Sequence, residues 1–364
     1  MLKRAAAMFL VCTGVAILVS CTNNRSNRYL YAALPGANEI VVYREDPNSG
    51  VLSPLSISPI TAGQGVRSLV IHPSNKFMYA VNSSPVENDI SVFALSSSGA
   101  LTEIDTPRQS TGTSPQLAVM DSAGQFLYVM NIGSDNISSF SIDSSTGALS
   151  AVPGSPFAIG LGASNMKVSP SGNFLYVSLG VGIGGSAGSI EIWSLSSGAL
   201  SQIVDVVQAG TSPTGMAIDS AGANLYVSNF GDNSISIYPI NANGDLGTPN
   251  TIGAGLGVLS SPVALLIDNS GKYLYVANNG SSTVVAYSIG SDGSLALLPS
   301  SYSIGTNSGP NSLAIDASGH YLFVANNASA TIQSFSLDTA SGVLTFVQSY
   351  SLAGNEATSM ALSP

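Results

Sequence analysis

Hydrophobic runs of one kind recur along the chain from residue 28 to the C-terminus. Each run is a Leu-Tyr-Val-like stretch centred on an aromatic residue, namely Tyr31, Tyr79, Tyr128, Tyr176, Tyr226, Tyr275 and Phe323. Successive members are separated by 48, 49, 48, 50, 49 and 48 positions. A period of this length, kept through seven copies, indicates a repeat protein in which every copy is one structural unit.

Two further patterns follow each run in a constant order. A β-branched residue precedes an aromatic residue by three positions in the pairs Ile40/Tyr43, Ile90/Phe93, Ile137/Phe140, Ile190/Trp193, Ile235/Tyr238, Val284/Tyr287 and Ile332/Phe335. A turn with a glycine and a nearby leucine then comes at Gly50, Gly99, Gly147, Gly198, Gly244, Gly293 and Gly342. Glycine supplies the positive φ that a tight hairpin turn requires, so these patterns predict antiparallel strands joined by short turns.

A fourth apolar strand precedes most of the Leu-Tyr-Val runs and ends in a turn of the Asp-x-x-Gly type. Examples of this turn are Asp121–Gly124, Asp219–Gly222, Asp268–Gly271 and Asp316–Gly319. Asp and Gly are residues that β-turns select, so we interpret these acids as turn-formers rather than calcium ligands. Each repeat therefore has four short strands, A to D, and no stretch shows sustained helical periodicity. Seven such repeats predict an all-β, seven-bladed β-propeller of four antiparallel strands per blade.

The two ends of the repeat region predict how the ring closes. The region begins at residues 28–31, which match strand B, and ends at residues 360–364, which match strand A. We therefore expect the C-terminal strand to complete the N-terminal blade, with the propeller spanning residues 28–364. Closure of this kind hides sheet edges that would otherwise be exposed.

The N-terminal segment is typical of an exported protein. A basic start, an apolar stretch and Ser20 before Cys21 are the features of a secretory signal peptide. Leu18-Val19-Ser20-Cys21 resembles the bacterial lipobox, which implies removal of residues 1–20 and lipidation of Cys21. Residues 21–27 would then be the lipidated cysteine and a short tether. An ordinary signal peptide with a chance cysteine is the alternative. We predict a membrane-anchored lipoprotein of the bacterial cell envelope, facing the periplasm or the outside.

Composition narrows the classes of partner. The chain has 364 residues, of which 8% are charged and 45% hydrophobic, and its formal net charge is −10. Its surface must therefore be covered mainly by Ser, Thr, Asn and Gly. The negative charge repels phosphate backbones, so nucleic acid is not expected as a partner. No pattern in the sequence points to a metal or another cofactor. An unknown small molecule, glycan or protein, bound at a loop face, remains the expected partner.

The repeated motifs together resemble a known family. The Asp-x-x-Gly turn, the Leu-Tyr-Val-x-Asn strand, Ile90-Ser91-Val92-Phe93 and Thr146-Gly147-Ala148-Leu149 look like the lactonase-type seven-bladed propellers. That group includes 6-phosphogluconolactonases and carboxymuconate cycloisomerase-like proteins. The repeats are also similar to the Tyr-Val-Thr-Asn repeat propellers of bacterial cell surfaces. The resemblance covers residues 28–364 and rests mostly on packing and turn positions.

The resemblance also implies catalytic residues that this chain does not match. The enzymes carry His just before a strand A and Glu after a Leu-Tyr-Val-x-Asn strand. No His occurs in any of the seven corresponding triplets, which begin at residues 66, 115, 163, 213, 262, 310 and 357. Ser83 follows Asn82 where the Glu would stand, and Glu87 lies four residues further on. The two histidines, His72 and His320, occupy a turn and a strand start, so we interpret both as structural.

Candidate binding residues lie where strands A begin, because these positions should line one end of the central channel. Arg67 is the strongest candidate for holding an anionic or polar ligand. Lys167 occupies a strand A position that is apolar in other repeats, and such a charge must be paired or face water. Arg108 and Glu87 lie in loops that could join Arg67 on the same face. The candidate set is Arg67, Gln116, Asn165, Lys167, Asn311, Glu87 and Arg108.

Two functions of different class remain open. The first is a lipid-anchored extracytoplasmic propeller that binds a ligand or protein without catalysis, which the missing His and Glu favour. The second is hydrolysis of a sugar or carboxylic lactone, with Arg67 and a nearby acid such as Glu87 as the reacting pair. This second function requires Arg67 within about 6 Å of a carboxylate, close enough for the two charges to couple.

Overall fold

The computed structural model describes residues 27–104, 108–180, 187–253 and 259–363. Within these ranges there are 31 strands and no helix, so no described segment could cross a membrane as a helix. The strands form seven sheets, each with four strands in the order A-B-C-D and three with one additional short strand. The predicted seven-bladed propeller is therefore confirmed. The predicted signal peptide and the lipidation site at Cys21 lie outside the described residues.

The first three blades each carry a short fifth strand that pairs with strand C. Blade 1 contains β1 (Arg28–Leu34), β2 (Glu39–Glu45), β3 (Leu52–Pro54) and β4 (Ile60–Thr61). Blade 2 contains β5 (Val66–Ile71), β6 (Phe77–Ser83), β7 (Asn88–Leu95), β8 (Leu101–Glu103) and β9 (Gln109–Ser110). Blade 3 contains β10 (Pro115–Met120), β11 (Phe126–Asn131), β12 (Asn136–Ile142), β13 (Leu149–Ala151) and β14 (Phe157–Ala158).

The other four blades have four strands each. Blade 4 contains β15 (Ala163–Val168), β16 (Phe174–Leu179), β17 (Ala187–Ser196) and β18 (Ala199–Thr211). Blade 5 contains β19 (Pro213–Ile218), β20 (Asn224–Asn229), β21 (Ser234–Pro239) and β22 (Asn250–Ile252). Blade 6 contains β23 (Pro262–Ile267), β24 (Tyr273–Asn278), β25 (Thr283–Ile289) and β26 (Leu295–Ser303). Blade 7 contains β27 (Pro310–Ile315), β28 (Tyr321–Asn326), β29 (Thr331–Leu337) and β30 (Leu344–Ser351), and β31 (Ser359–Leu362) returns to blade 1.

The ring closes as the sequence predicts. β31 is the strand A of blade 1 and pairs antiparallel with β1, in a register that opposes Leu30 to Leu362 and Ala33 to Ser359. Beyond the strand, the backbone N–H of Tyr29 donates to the Ser363 hydroxyl at 2.9 Å. The edge that β1 would otherwise expose is thereby covered by the far end of the chain.

The hydrophobic core lies between the blades. Strand B is buried on both faces because a neighbouring blade covers each of them; in β6, the six residues from Phe77 to Asn82 are all buried. Apolar side chains of adjacent blades meet in seven separate clusters, as where Tyr31 of blade 1 packs with Met78 and Phe93 of blade 2. This explains why strand B is a continuous apolar run rather than an alternating one.

Two of the repeated sequence patterns form a single contact between blades. A strand B tyrosine hydroxyl donates to the carbonyl of the turn glycine in the next blade, over 3.0 to 3.1 Å, in the pairs Tyr31/Gly99, Tyr79/Gly147, Tyr176/Gly244, Tyr226/Gly293 and Tyr275/Gly342. In blade 2 the turn glycine, Gly99, is also covered by the aromatic ring of Tyr29. A Cβ on Gly99 would lie 2.4 Å from that ring. The glycine is thus required for close approach as well as for its φ of 81°.

Candidate functional site

The strands A surround the axis of the propeller and contact one another from blade to blade. They run antiparallel to strands B, so that Val66 at the start of β5 is opposite Asn82 near the end of β6. The first residues of the strands A therefore lie at the same end of the channel as the loops between strands B and C. This is the end at which the sequence places the candidate site.

A cavity of about 200 Å³ occupies this end of the channel, and residues of all seven blades line it. Five of the seven candidate residues meet there, and we call this cavity the polar chamber. They are Arg67, Gln116, Asn165, Lys167 and Asn311. All five are half-buried. The cavity thus brings together two cations and three amides from blades 2, 3, 4 and 7.

A β-bulge near the start of strand A decides which side chains reach the chamber. In blade 4 the pairing with strand B shifts between Ala163 and Asn165, and similar shifts occur in the other blades from 2 to 7. A bulge redirects side chains locally. In blade 4 it is Asn165 that lines the chamber, while the Ser164 hydroxyl donates to the carbonyl of Pro213 at 2.5 Å.

Several side chains at the mouth are occupied in joining the blades. The Thr214 hydroxyl donates to the Pro262 carbonyl at 2.9 Å, and the Thr358 hydroxyl donates to the Arg67 carbonyl at 2.8 Å. The Asn311 Nδ2 group donates to the Ala357 carbonyl at 2.8 Å. The expected ring of ligand-facing residues is therefore only partly available to a ligand. The Asn311 Oδ1 atom accepts no hydrogen bond from the described residues.

Three buried polar atoms of the chamber have no hydrogen-bond partner among the described residues. They are Arg67 Nε, Asn165 Oδ1 and Asn311 Oδ1. Leaving a buried donor or acceptor unsatisfied costs about 1–3 kcal/mol. Because the residues that carry these atoms line one cavity, the chamber is suited to a small molecule that both accepts and donates hydrogen bonds.

The charges of the chamber are not compensated. The ion pairs of the described residues involve only Arg28 and Arg108, so neither Arg67 nor Lys167 has a carboxylate partner there. Burial lowers the pKa of Lys167, and no neighbouring charge opposes this effect. The described lining of the chamber holds no carboxylate and no imidazole. Its electrostatics favour an anion or an electron-rich oxygen.

Glu87 and Arg108 are found in a separate ionic cluster. Arg108 Nε donates to Glu103 Oε1 at 2.8 Å, and its Nη1 lies 3.5 Å from Glu87 Oε2 and 3.7 Å from Asp89 Oδ2. The hydrogen bond that Arg108 donates to Glu103 is the main reason why the pKa of Arg108 is raised. Neither Glu87 nor Arg108 lines the polar chamber. The structure therefore does not bring them to Arg67, because Glu87 already pairs with Arg108 and accepts the Gln64 N–H at 3.0 Å.

The turn acids and His72 have structural contacts. Asp268 Oδ1 accepts the backbone N–H groups of Lys272 and Tyr273, both at 2.8 Å, as expected of a turn-former. The His72 Nε2 atom lies 3.0 Å from the Gly124 carbonyl of the next blade. In the part of the chain that the structure describes, no group of three or more His, Cys, Asp and Glu side chains could hold a metal ion.

Glu45 is a buried carboxyl that the sequence did not lead us to expect. Glu45 ends β2, is only 1% exposed, and lies 3.8 Å from Arg28, which bridges to Asp316 of blade 7 at 2.6 Å. A signal was available: the corresponding position of the other six repeats is apolar, as Leu95, Ile142, Leu195, Ile240, Ile289 and Leu337. The cluster lies away from the channel, between the first and last blades.

Comparisons with known proteins agree with this architecture. The family model described as "Lactonase, 7-bladed beta-propeller" matches residues 69–160, 156–255 and 250–361. The 6-phosphogluconolactonase of Formosa agariphila is 37% identical over 89 residues, a match that spans 24% of this chain and 25% of that protein. The structure is similar to a proposed 6-phosphogluconolactonase from Bacteroides fragilis, with a TM-score of 0.77, 19% identity and coverage of 94% of this chain and 99% of the other. It is also similar to the periplasmic gluconolactonase of Pseudomonas aeruginosa, with a TM-score of 0.77, 17% identity and coverage of 93% and 99%.

Proposed function

Because the chain belongs to the seven-bladed lactonase β-propeller family, we propose that its polar chamber binds a small carboxylate or lactone. One observation carries this proposal: two cations without a described counter-charge share a cavity with three buried, unpartnered polar atoms. Fold alone does not establish a ligand, since one architecture serves many functions. The chemistry of the chamber residues therefore supports the proposal.

The roles of the residues follow from their chemistry. Arg67 offers the unpartnered Nε–H and its planar guanidinium, a group that forms strong charge-assisted hydrogen bonds with carboxylate oxygens. Lys167 adds a second positive charge deeper in strand A. The oxygens of Asn165 and Asn311 accept hydrogen bonds from hydroxyl groups on the ligand. Such a set would recognise an oxygen-rich anion and orient it.

Isothermal titration calorimetry with D-gluconate tests the proposal. Hydrogen bonds to charged groups contribute about 1.5–3 kcal/mol, so Arg67→Met should weaken binding by about 10- to 100-fold. Arg44→Met is the matched control, because Arg44 is exposed on β2 and does not line the chamber. Binding that is unchanged in Arg67→Met, or equally weakened in Arg44→Met, would contradict the assignment.

Lactone hydrolysis is a second candidate, and Lys167 favours it. A lysine whose pKa is lowered by desolvation is more often the neutral amine at a given pH, and a neutral amine can act as a general base. In this reaction the amine takes a proton from water, and the resulting hydroxide attacks the lactone carbonyl. The ring C–O bond then breaks, and the leaving alkoxide recovers the proton from Lys167. Arg67 would stabilise the oxyanion formed on the way.

Hydrolysis is tested by pH-stat titration with γ- and δ-lactones of sugar acids and hydroxyalkanoic acids. A Lys167 base predicts turnover that rises with pH and disappears in Lys167→Met, while Lys272→Met, an exposed lysine outside the chamber, retains it. Turnover that persists in Lys167→Met would exclude this base. Absence of turnover above buffer for every lactone leaves a binding protein without catalysis.

We further propose that the protein is exported and anchored through Cys21, so that the propeller acts in the cell envelope. The lipobox-like residues 18–21 support this proposal. Cys21→Ala should move the protein from the membrane fraction to the soluble fraction of cells, and mass spectrometry of the N-terminal peptide should detect acylation only with Cys21 present. An unmodified Cys21 in the membrane-bound protein would refute the anchor.

A further inference from the structure

A second cavity adjoins the polar chamber along the channel. It measures about 330 Å³ and is lined by the last residues of strands A in blades 3 to 6. We call it the apolar chamber, and its aliphatic lining residues include Met120, Val168, Ala217, Ile218, Leu266 and Ile267. Its polar lining residues are Lys167 and the serines Ser122 and Ser169. In the described lining, no acid faces this cavity.

Three residues border both chambers and place them end to end. They are Lys167, Met216 and Leu265. Lys167 is therefore the charged boundary between a polar compartment, which contains Arg67 and the amides, and an apolar one. The second and sixth residues of a strand A are four positions apart, which corresponds to about 13 Å of strand. A ligand that reaches from one compartment into the other must be elongated.

We propose that the ligand of the channel is an amphiphile, a medium-chain aliphatic carboxylate or the corresponding lactone. Its head lies in the polar chamber against Arg67 and Lys167, and its chain lies in the apolar chamber. This inference rests on the proposed binding function and adds the substrate class. Ile218, Leu266 and Ile267 pack against the cores between the blades and are half-buried, so part of each also borders the cavity. A sugar acid alone would fill the polar chamber and leave this apolar surface uncovered.

An aliphatic chain on the ligand is favoured for two physical reasons. Cavities lined by aliphatic side chains offer water few hydrogen bonds, so binding of an apolar group there is favourable in free energy. An amphiphile would satisfy the charge of Lys167 with its head while burying its chain beyond that residue. Each methylene that leaves water for such a site should improve the dissociation constant about four-fold. This increment is the quantitative signature of the proposal.

Calorimetry with sodium acetate, butyrate, hexanoate and octanoate measures that increment, with D-gluconate titrated alongside. The dissociation constant should fall about four-fold per methylene until the apolar chamber is filled. Ile267→Trp enlarges a side chain that lines the apolar chamber and should reduce the space for an aliphatic chain. In this variant the dependence on chain length should disappear while gluconate and acetate still bind. Ile315→Trp is the matched control, because Ile315 is the half-buried residue at the same strand position in blade 7 and lines neither chamber.

The outcomes separate this inference from the proposed function. If gluconate binds and all the alkanoates bind with the same affinity, the proposal of an amphiphilic ligand is overturned and the proposed polar site stands. A chain-length dependence that survives in Ile267→Trp would place the chain elsewhere and also overturn it. Binding of neither gluconate nor any alkanoate would remove both proposals. If the Trp variants fail to fold, Ile267→Ser and Ile315→Ser form a milder pair, and the wild-type series is decisive by itself.

Discussion

Glu45 provides a test of the electrostatics at the closure of the ring. Its carboxyl is buried between blades 1 and 7, and neither of its oxygens has a hydrogen-bond partner among the described residues. One cation, Arg28, is shared with Asp316, and it lies closer to Asp316. Burial, followed by repulsion from Asp316, raises the pKa of Glu45 from 4.5 to about 7. We predict that Glu45→Gln removes a pH-dependent loss of stability.

The sign and size of this change in unfolding free energy follow from the linkage between protonation and folding. A carboxyl that is harder to ionise in the folded protein stabilises it fully below pH 4.5 and loses that contribution as pH rises through about 7. One pKa unit corresponds to about 1.4 kcal/mol. The difference between 4.5 and about 7 therefore amounts to about 3 kcal/mol of unfolding free energy lost between pH 4.5 and pH 8. Gln keeps the shape of the protonated acid and cannot ionise.

Urea unfolding at pH 5, 6, 7, 8 and 9 measures the effect on wild type and Glu45→Gln. The variant should be about as stable as wild type at pH 5 and more stable by up to about 3 kcal/mol at pH 9. Glu356→Gln, which alters an exposed glutamate, is the control and should follow wild type at every pH. A constant difference between wild type and Glu45→Gln from pH 5 to pH 9 would refute the reasoning.

Three further substitutions test packing and the channel. Tyr79→Phe removes the hydroxyl that bonds the Gly147 carbonyl across two blades, and should lower the unfolding free energy by about 1–2 kcal/mol in urea titrations. Gly99→Ala places a Cβ 2.4 Å from the Tyr29 ring at a φ of 81°, and should lower the melting temperature, whereas Gly36→Ala, with open space and an ordinary φ, should not. Lys167→Met should raise the melting temperature at pH 7, because burial disfavours the charged ammonium in the folded state. The same variant should lose gluconate binding. A fall in melting temperature would show that Lys167 is a structural cation instead.

Charged residues at positions that are apolar in other repeats are informative in this protein. Lys167 was recognised in the sequence by that criterion, and the structure places it in the channel. Glu45 satisfies the same criterion and was overlooked, and it is buried at the closure of the ring. A repeat protein supplies six internal comparisons for every position, so a single deviating residue can be identified without any homologue.

The amino-acid sequence by itself determined the number of blades, the order of strands and the way the ring closes. These features depend on local chemistry. Turn glycines with positive φ and apolar runs of strand length are each repeated seven times, and turn aspartates that accept backbone N–H groups occur in four repeats. With seven repeats of this length, a closed seven-bladed propeller is the architecture that buries the apolar strand B of every repeat. This part of the prediction needed no knowledge of side-chain contacts.

Only the tertiary structure decided which side chains share the channel. The chamber residues lie in different blades, so their meeting depends on ring closure and on the bulge that selects Asn165 rather than Ser164. The pairing of charged side chains is also decided by the tertiary structure. Arg108 forms ion pairs with Glu87 and Glu103, and Arg67 forms none with the described acids. Charge compensation depends on distances of a few ångströms between remote segments. Local sequence does not encode such distances, so the two uncompensated cations of the channel became evident only in the folded ring.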